Sequence, residues 1–203
     1  NAFCVYGGPV ARDAGAEAAL TAAAVALARD LKVDYLEYRS RARANPDWPC
    51  NDELYVTFRK AIVADPEKNM LAIPRKQRAM VRKGIKNSLV AEIDADVGRF
   101  FPIYAASVRD LGTPVFARRY FATLKEVFGE ACEILVVTHE GRPVSTVMSF
   151  YFRDEVLPYY GGGLAPARDL AAYDFMYWDV MRRACQAGCR VFDFGRSKRG
   201  TGS

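Results

Sequence analysis

Residues 156–203 read VLPYYGGG, then LAPARDLAAYDFMYWDVMRRACQAG, then CRVFDFGRSKRGTGS. The pattern predicts a strand over 156–160, a glycine turn, a helix over about 173–187 that ends at a glycine, and a last strand over 190–194. A strand–helix–strand unit within one sheet is almost always a right-handed parallel crossover. We expect this unit to splay the two strands at one end and so to leave a cleft for a ligand.

The predicted strand runs into three consecutive glycines, Gly161, Gly162 and Gly163. Glycine has no Cβ and adopts positive φ without steric cost, so we interpret the triplet as a turn at which the backbone approaches a ligand. The helix that follows would add exposed N–H groups and the positive end of its dipole, an arrangement that suits an anion. A tight exit from the strand, with no ligand, is the alternative interpretation.

One acid and three cations follow on the last strand and the tail behind it, at the same predicted edge of the sheet. They are Asp193, Arg196, Lys198 and Arg199. Asp193 would position an amine or accept its proton, or would pair with Arg196. The three cations would bind an anion or form a solvated tail. We therefore interpret this edge as a site for a phosphorylated or carboxylated substrate, with Asp193 and Lys198 as the candidate catalytic residues.

Other arginines and tyrosines are candidates for binding. Arg168 lies near the predicted helix start, where the helix dipole disfavours a cation, so an anionic ligand would account for it. Arg118, which with Arg119 and Tyr120 begins a helix predicted over 118–128, is a candidate contact for an acceptor. Four further tyrosines would line a groove or belong to the core with a hydroxyl in water. These are the candidate binding residues Tyr160 and Tyr173, and in addition Tyr159 and Tyr177.

A helix predicted over 75–86 presents its cations within one sector of its surface. They are Arg75, Lys76, Arg78, Arg82, Lys83 and Lys86. Arg78 and Arg82 are the candidates for binding RNA phosphates or a nucleotide-linked substrate. A solvated helix face is the alternative interpretation of the same pattern.

The rest of the chain predicts elements in an order typical of a mixed sheet. Helices are predicted over 13–31, 66–72, 94–111 and 118–128, and strands over 3–6, 33–38, 54–62, 88–93, 131–138 and 143–152. The last two strands meet at Glu140 and Gly141, which is a hairpin signal. We therefore expect an α/β (α+β) fold whose mixed sheet is antiparallel in its middle. We also expect a partial domain over 1–63 followed by a second domain over 64–203.

The composition argues against several classes of protein. Of 203 residues, 51% are hydrophobic, so the chain has enough apolar side chains for a core and is not disordered. A formal net charge of +5 is modest for a nucleic-acid-binding protein. The five cysteines are odd in number and widely spaced, which excludes a disulfide framework and favours a reducing cytoplasm. No apolar run approaches ~20 residues, and a single histidine, His139, argues against a histidine-based triad or zinc site.

Six stretches of this sequence together resemble one known family. They are FCVYGGP, IPRKQRAMVRKGIK, LGTPVFARRYF, RPVSTVMSFYF, YYGGG and AYDFMYWDVMRRACQAGCRVFDFGRSKRGTGS, which span nearly the whole chain. In this order they resemble the FemAB-like branch of the GNAT acyltransferase superfamily. The group encoded with exosortase (PEP-CTERM) and exopolysaccharide systems is the closest match.

The resemblance implies two GNAT-like halves, with helices on both faces of the sheet, that transfer an acyl or aminoacyl group to an amine. The donor would be aminoacyl-tRNA or acyl-coenzyme A, with no metal. The acceptor would be a nucleotide- or lipid-linked amino sugar or peptide, which is a precursor of the cell envelope or of an exopolysaccharide. These expectations place the protein in the cytoplasm.

Two departures from the family pattern qualify these expectations. Members carry a further half-domain before the strand at Phe3, and an aromatic–Lys–x–x–aromatic–Gly element after Ser203. We therefore expect the chain to be an incomplete enzyme, truncated at its C-terminus. The Gln/Arg-x-x-Gly-x-Gly/Ala loop of acetyl-coenzyme A users is also missing, which favours an aminoacyl or other acyl carrier as donor.

Two further hypotheses remain open at this point. The basic helix over 75–86 is also compatible with a non-catalytic RNA- or nucleotide-binding module that keeps the GNAT-like fold. The missing ends are compatible with a structural remnant that binds no ligand.

Overall fold

The structure, a computed structural model, describes residues 4–200. Its helices are α1 (Ala14–Asp30), α2 (Pro66–Leu71), α3 (Arg75–Lys86), α4 (Phe100–Asp110), α5 (Arg118–Phe128), α6 (Pro166–Asp169) and α7 (Ala172–Gln186). Its strands are β1 (Tyr55–Ala61), β2 (Val90–Asp94), β3 (Cys132–His139), β4 (Arg142–Phe152), β5 (Glu155–Gly163) and β6 (Val191–Lys198). A single 3₁₀ turn, Gly129–Ala131, joins α5 to β3.

The six strands form one sheet in the order β1-β6-β5-β4-β3-β2. Neighbours from β2 to β5 are antiparallel, whereas β5 and β6 are parallel. The β3–β4 hairpin turns at Glu140 and Gly141, whose φ values of 50° and 74° match the two-residue turn that suits strand twist. The expected mixed sheet, with its antiparallel meander and parallel pair, is confirmed.

The parallel strands β5 and β6 pair only at their beginnings. Glu155 is the register partner of Val191, and Val156 that of Phe192; no later pair joins the two strands in the described chain. Beyond this point β6 bends at Gly195, which has φ +72° and whose N–H donates to Asp193 Oδ1 at 2.7 Å. The two strands therefore splay, as expected, and the end of β5 has an edge that β6 does not cover.

Helices cover both faces of the sheet, because successive strand residues point to opposite sides. On the side that we call the α7 face, residues such as Leu135 and Val147 join a core with α7, α3 and α2. On the other side, the α4–α5 face, residues such as Ile134 and Met148 join a core with α4 and α5. The expectation of helices on both faces is thus confirmed.

Three predicted elements differ from the structure. The strand predicted over 33–38 is absent, and only a single bridge, Gly7 with Arg39, forms nearby, since no neighbouring strand offers a full ladder. Of the strand predicted over 3–6, residue 3 lies outside the described residues and 4–6 form no strand. The helix predicted from residue 94 begins at Phe100, because Asp94 is still part of β2, where it pairs with Ile134 of β3.

Contacts divide the described chain into two units, residues 4–56 with 198–200, and Thr57–Ser197. The smaller unit contains α1, whose N-cap Asp13 accepts a hydrogen bond from the Ala16 N–H at 2.8 Å. The larger unit contains both hydrophobic cores. The interpretation of 1–63 as a partial half-domain and of 64–203 as a second domain stays a prediction.

Candidate active site

The uncovered end of β5 begins at a β-bulge. Met148 on β4 pairs with Tyr160, but Ser149 pairs with Pro158, so Tyr159 is an extra residue in β5. Pro158 has no N–H to donate to a ladder, which makes a bulge a suitable place for it. The bulge brings the consecutive Tyr159 and Tyr160 to the same α4–α5 face, with ring centroids 4.6 Å apart.

A pair of tyrosine hydroxyls lies above this bulge. Tyr160 is only 8% exposed, and its hydroxyl lies 3.0 Å from that of Tyr120, at the start of α5. Burial, together with this hydrogen bond, raises the pKa of Tyr160 far above its ordinary value, so its hydroxyl stays protonated. Tyr120 itself is 36% exposed. Of the two interpretations of Tyr160, a groove or the core, the structure favours the core.

The glycine triplet is the end of β5, and the predicted turn is wrong. Gly161, Gly162 and Gly163 pair with residues 147, 146 and 145 of β4, and none of the three has positive φ. A Cβ on Gly162 would lie 2.7 Å from the Cβ of Ser107 on α4. A Cβ on Gly163 would lie 2.8 Å from the ring of Tyr173 on α7. Gly162 and Gly163 are therefore needed because helices approach the strand closely from both faces, which the sequence alone did not reveal, whereas a Cβ on Gly161 would make only ordinary contacts.

Asp193 lies at the base of the splay rather than exposed in a cleft. Its side chain is buried and its Oδ2 lies 3.4 Å from the Nε of Arg59 on β1. Arg59 also forms an ion pair with Glu155, the first residue of β5. Since the strand order is β1-β6-β5, this ionic brace of Arg59, Asp193 and Glu155 spans three strands where β5 and β6 part. The geometry favours a structural role for Asp193, and its catalytic role stays a prediction.

The arginine and tyrosine candidates on either side of the splay lie at the same end of the sheet. Arg196 is exposed on β6 beyond the bend at Gly195, and Arg168 is exposed on α6, which follows β5. The Tyr173 hydroxyl donates to the Gly163 carbonyl at 3.4 Å and so braces the end of β5. Asp174, in the first turn of α7, has its pKa raised by burial. Because β5 and β6 are parallel, Arg168 and Arg196 both follow the same end of the sheet, and their binding of one anionic ligand stays a prediction.

The remaining candidates are Lys198, Arg199 and Arg118. Lys198 and Arg199 belong to the smaller unit, in which the Arg199 N–H donates to the Leu54 carbonyl at 3.0 Å. Their predicted catalytic and binding roles stay predictions. Arg118 is exposed in the first turn of α5, close in sequence to Tyr120.

The basic helix α3 lies on the α7 side of the sheet and contacts α7 at Gly84. A Cβ on Gly84 would lie 2.7 Å from the Cβ of Phe175, so a larger residue would push the helices apart. Arg78 is half-buried and its Nη1 donates to the Leu71 carbonyl at 2.9 Å, at the C-terminus of α2. Arg82 is exposed. The cations of α3 therefore divide between a helix-capping role and a solvent-facing surface.

Two residues that build the site, Gly195 and Arg59, were not predicted, and only the first gave a signal in the sequence. An aspartate two residues before a glycine is a local Asx-turn signal, so the bend at Gly195 was in principle visible. Arg59 gave no such signal, because its partners Glu155 and Asp193 are far away in the chain.

The described residues show no group of three or more histidine, cysteine or acidic side chains that could hold a metal ion. Between residues 4 and 200, no helix combines the length and the apolar character that crossing a membrane requires.

Comparisons with known proteins agree with this architecture. Residues 68–200 match the model of a family described as acetyltransferase (GNAT) domain. The solved structure of FemX superposes with a TM-score of 0.67 at 13% identity, over 72% of this chain and 54% of that one. The C-terminal domain of a putative lysylphosphatidylglycerol synthetase from Agrobacterium fabrum superposes with a TM-score of 0.53 at 14% identity, over 72% of this chain and 50% of that one.

The present chain thus spans about half the length of the solved structures that it matches. At sequence identities of 13% and 14%, the superpositions show a similar fold and nothing more. A comparison with curated proteins finds no match. Because the family model covers more than half of the chain, including the splayed strands β5 and β6, the chain belongs to the acetyltransferase (GNAT) domain family.

Proposed function

We propose that the chain is the transferase domain of a FemAB-like enzyme, which transfers an acyl or aminoacyl group to an amino group of a cell-envelope or exopolysaccharide precursor. The observation that carries the proposal is the splay of β5 from β6 in a chain of the GNAT family. The resemblance of FemX in fold adds support, since the superposition includes most of this chain.

The reaction requires no nucleophile from the protein. The nitrogen of the acceptor amine attacks the acyl carbonyl carbon, so a C–N bond forms. The C–O bond to a tRNA ribose, or the C–S bond to coenzyme A, then breaks, and a proton of the amine passes to the leaving group. The site has to align the two reactants and stabilise the negative charge that develops on the carbonyl oxygen.

The charges at the splayed end suit a phosphate-bearing donor or acceptor. Arg168 and Arg196 are both exposed there, on the segments that follow β5 and form the end of β6. Phosphate groups are carried by tRNA, by coenzyme A and by nucleotide-linked sugars alike, so these arginines do not distinguish the donors. We propose aminoacyl-tRNA as the donor, because the pyrophosphate-binding loop of coenzyme A users is missing from this sequence.

The test is transfer of a labelled group by the full-length protein. Aminoacyl-tRNA and acyl-coenzyme A are supplied separately, with nucleotide-linked amino sugars as acceptors, and label in the acceptor is measured. We expect label from aminoacyl-tRNA, and none when the acceptor amine is already acetylated. If neither donor labels any amine, the proposal is wrong.

Two arginines provide a matched pair for this assay: Arg190 lies just before β6, and Arg196 lies near the other end of the strand. Arg196→Ala removes a cation from the splayed end, whereas Arg190→Ala removes an exposed cation beside the paired end. We expect Arg196→Ala to raise the KM of a phosphate-bearing substrate about tenfold, which corresponds to the loss of one charged hydrogen bond. Arg190→Ala should leave the KM unchanged. Equal effects would argue against a substrate site at the splayed end.

A second candidate function is RNA or nucleotide binding without catalysis, and the exposed cations of α3 favour it. They are Arg75, Lys76, Arg82, Lys83 and Lys86. Arg82→Ala combined with Lys86→Ala should weaken RNA binding and reduce its dependence on salt by about two phosphate contacts. Arg78 is left unchanged, because it also caps α2. RNA binding that does not depend on the salt concentration, or no RNA binding at all, would contradict this second candidate function.

A further inference from the structure

The tyrosine hydroxyl pair lies directly over the part of β5 that β6 leaves uncovered. Tyr160 is four residues beyond Val156, the last residue of β5 with a partner on β6. Tyr120 reaches it from the start of α5, with ring centroids 6.2 Å apart and hydroxyls 3.0 Å apart. A hydroxyl donor from α5 thus lies over β5 at a residue that has no register partner on β6.

The hydrogen bond between the two hydroxyls has a preferred direction, because Tyr160 is buried whereas Tyr120 is part-exposed. Each phenol has one O–H to donate, and neither hydroxyl makes another hydrogen bond within residues 4–200. The buried Tyr160 has no route to solvent for its proton, so the favourable arrangement is Tyr160 donating to Tyr120. The O–H of the part-exposed Tyr120 is then left to donate to solvent or to a ligand, and donation from Tyr160 makes it a stronger donor.

The surrounding rings hold this donor in place. Tyr120 packs on Phe116 with centroids 4.7 Å apart, and edge-on against Phe121 at 5.3 Å. Tyr160 packs edge-on against both Phe121 and Tyr104, at 5.2 and 5.8 Å. A fixed donor stabilises developing charge without having to reorganise, which is the property that transition-state stabilisation requires.

We infer that the Tyr120 hydroxyl donates to the acyl carbonyl oxygen and stabilises the oxyanion formed during transfer, while Tyr160 is the positioning residue that orients it. The polarity of the pair selects this partner, since a carbonyl oxygen only accepts hydrogen bonds, whereas the attacking amine must keep its lone pair for the carbon. The burial that raises the pKa of Tyr160 keeps this hydroxyl protonated and so able to donate. This inference rests on the proposed function.

The test compares three single variants of the full-length protein in the transfer assay. Tyr120→Phe should lower kcat about 100-fold with little change in KM, as expected for the loss of one oxyanion donor. Tyr160→Phe should lower kcat by a smaller factor. Tyr104→Phe is the matched control, because Tyr104 gives a ring to the same cluster but no hydroxyl to the pair, and it should leave kcat unchanged.

The double variant Tyr120→Phe/Tyr160→Phe separates positioning from simple packing. If Tyr160 acts through Tyr120, the double variant is no slower than Tyr120→Phe, and all variants unfold at similar temperatures. Additive losses in kcat, or a Tyr120→Phe variant within about twofold of the wild type, overturn the inference. A wild type that transfers no acyl group contradicts the proposed function and removes this inference with it, whereas an active wild type with an unaffected Tyr120→Phe variant contradicts this inference alone.

Discussion

The α7 face and the α4–α5 face of the same sheet carry different kinds of core. On the α7 face, aliphatic and methionine side chains such as Val147, Met176 and Val180 are fully buried. On the α4–α5 face, rings from two helices and β5 surround Phe121, and several of these rings are tyrosines. The core of the α7 face is therefore mainly aliphatic, whereas the core of the α4–α5 face is rich in aromatic rings, several of which carry hydroxyls.

The ionic brace of Arg59, Asp193 and Glu155 also lies on the α4–α5 face. Phe192 and Phe194 pack with Tyr177 of α7, so Asp193 between them points to the other side. Both polar features, the brace and the tyrosine pair, therefore flank the splay on one side of the sheet. We propose from this difference that the tyrosine pair and the brace serve the reaction from the α4–α5 face, and the following changes test the packing on which that proposal depends.

Phe121→Ala should have the largest effect. The ring is fully buried and packs edge-on against Phe100, Tyr104 and Tyr160, so its removal leaves a cavity at the centre of the aromatic face. We expect the free energy of unfolding to fall by about 3–5 kcal/mol, measured by urea unfolding. Phe116→Ala, which removes a ring with 37% exposure, should cost much less. Similar losses for both would show that the aromatic core is not centred on Phe121.

Gly162→Ala should have an intermediate effect and tests the close approach of α4. The added Cβ meets Ser107 Cβ at 2.7 Å and the Tyr104 Cα at 3.4 Å, so backbone has to move. We expect a loss of about 1–3 kcal/mol in the free energy of unfolding. Gly161→Ala is the control, because its Cβ would make only ordinary contacts, the nearest at 3.5 Å to Val147. A loss at Gly161 as large as that at Gly162 would show that the close approach of α4 is not what requires glycine at 162.

Asp193→Asn should have the smallest effect of the three. The substitution removes the charge that faces Arg59, but Arg59 is one-third exposed and keeps Glu155, which limits the cost to about 1–2 kcal/mol. A double-mutant cycle with Arg59→Met measures the coupling, and the double variant should lose less stability than the sum of the single variants. If Asp193→Asn is fully stable but inactive in acyl transfer, the brace is not its main role and the catalytic prediction is favoured.

Prediction from the sequence succeeded where the signal is local. Helix α5 was predicted at its observed residues because its apolar positions recur at helical spacing, and the β3–β4 hairpin because Glu140 and Gly141 suit a tight turn. The parallel crossover followed from the handedness rule and needed no knowledge of contacts. The resemblance of short strings in order added the GNAT fold, which the family model then confirmed.

The prediction of the glycine triplet failed for a physical reason. Three glycines are compatible with a turn, with a ligand contact and with close helix packing, and the choice depends on atoms that are distant in sequence. Ser107 and Tyr173 supply those atoms, and neither lies next to the triplet in the chain. The role of Asp193 was uncertain for the same reason, since its partner Arg59 lies on β1.

Periodicity, turn residues and strand order were enough to place most of the helices and strands and the splay between β5 and β6, because these depend on backbone preference and on which face of each element is apolar. Which cation pairs with Asp193 and which two hydroxyls meet depended on long-range contacts. Tyr120 and Tyr160 are 40 residues apart, and only folding brings their hydroxyls within a hydrogen bond.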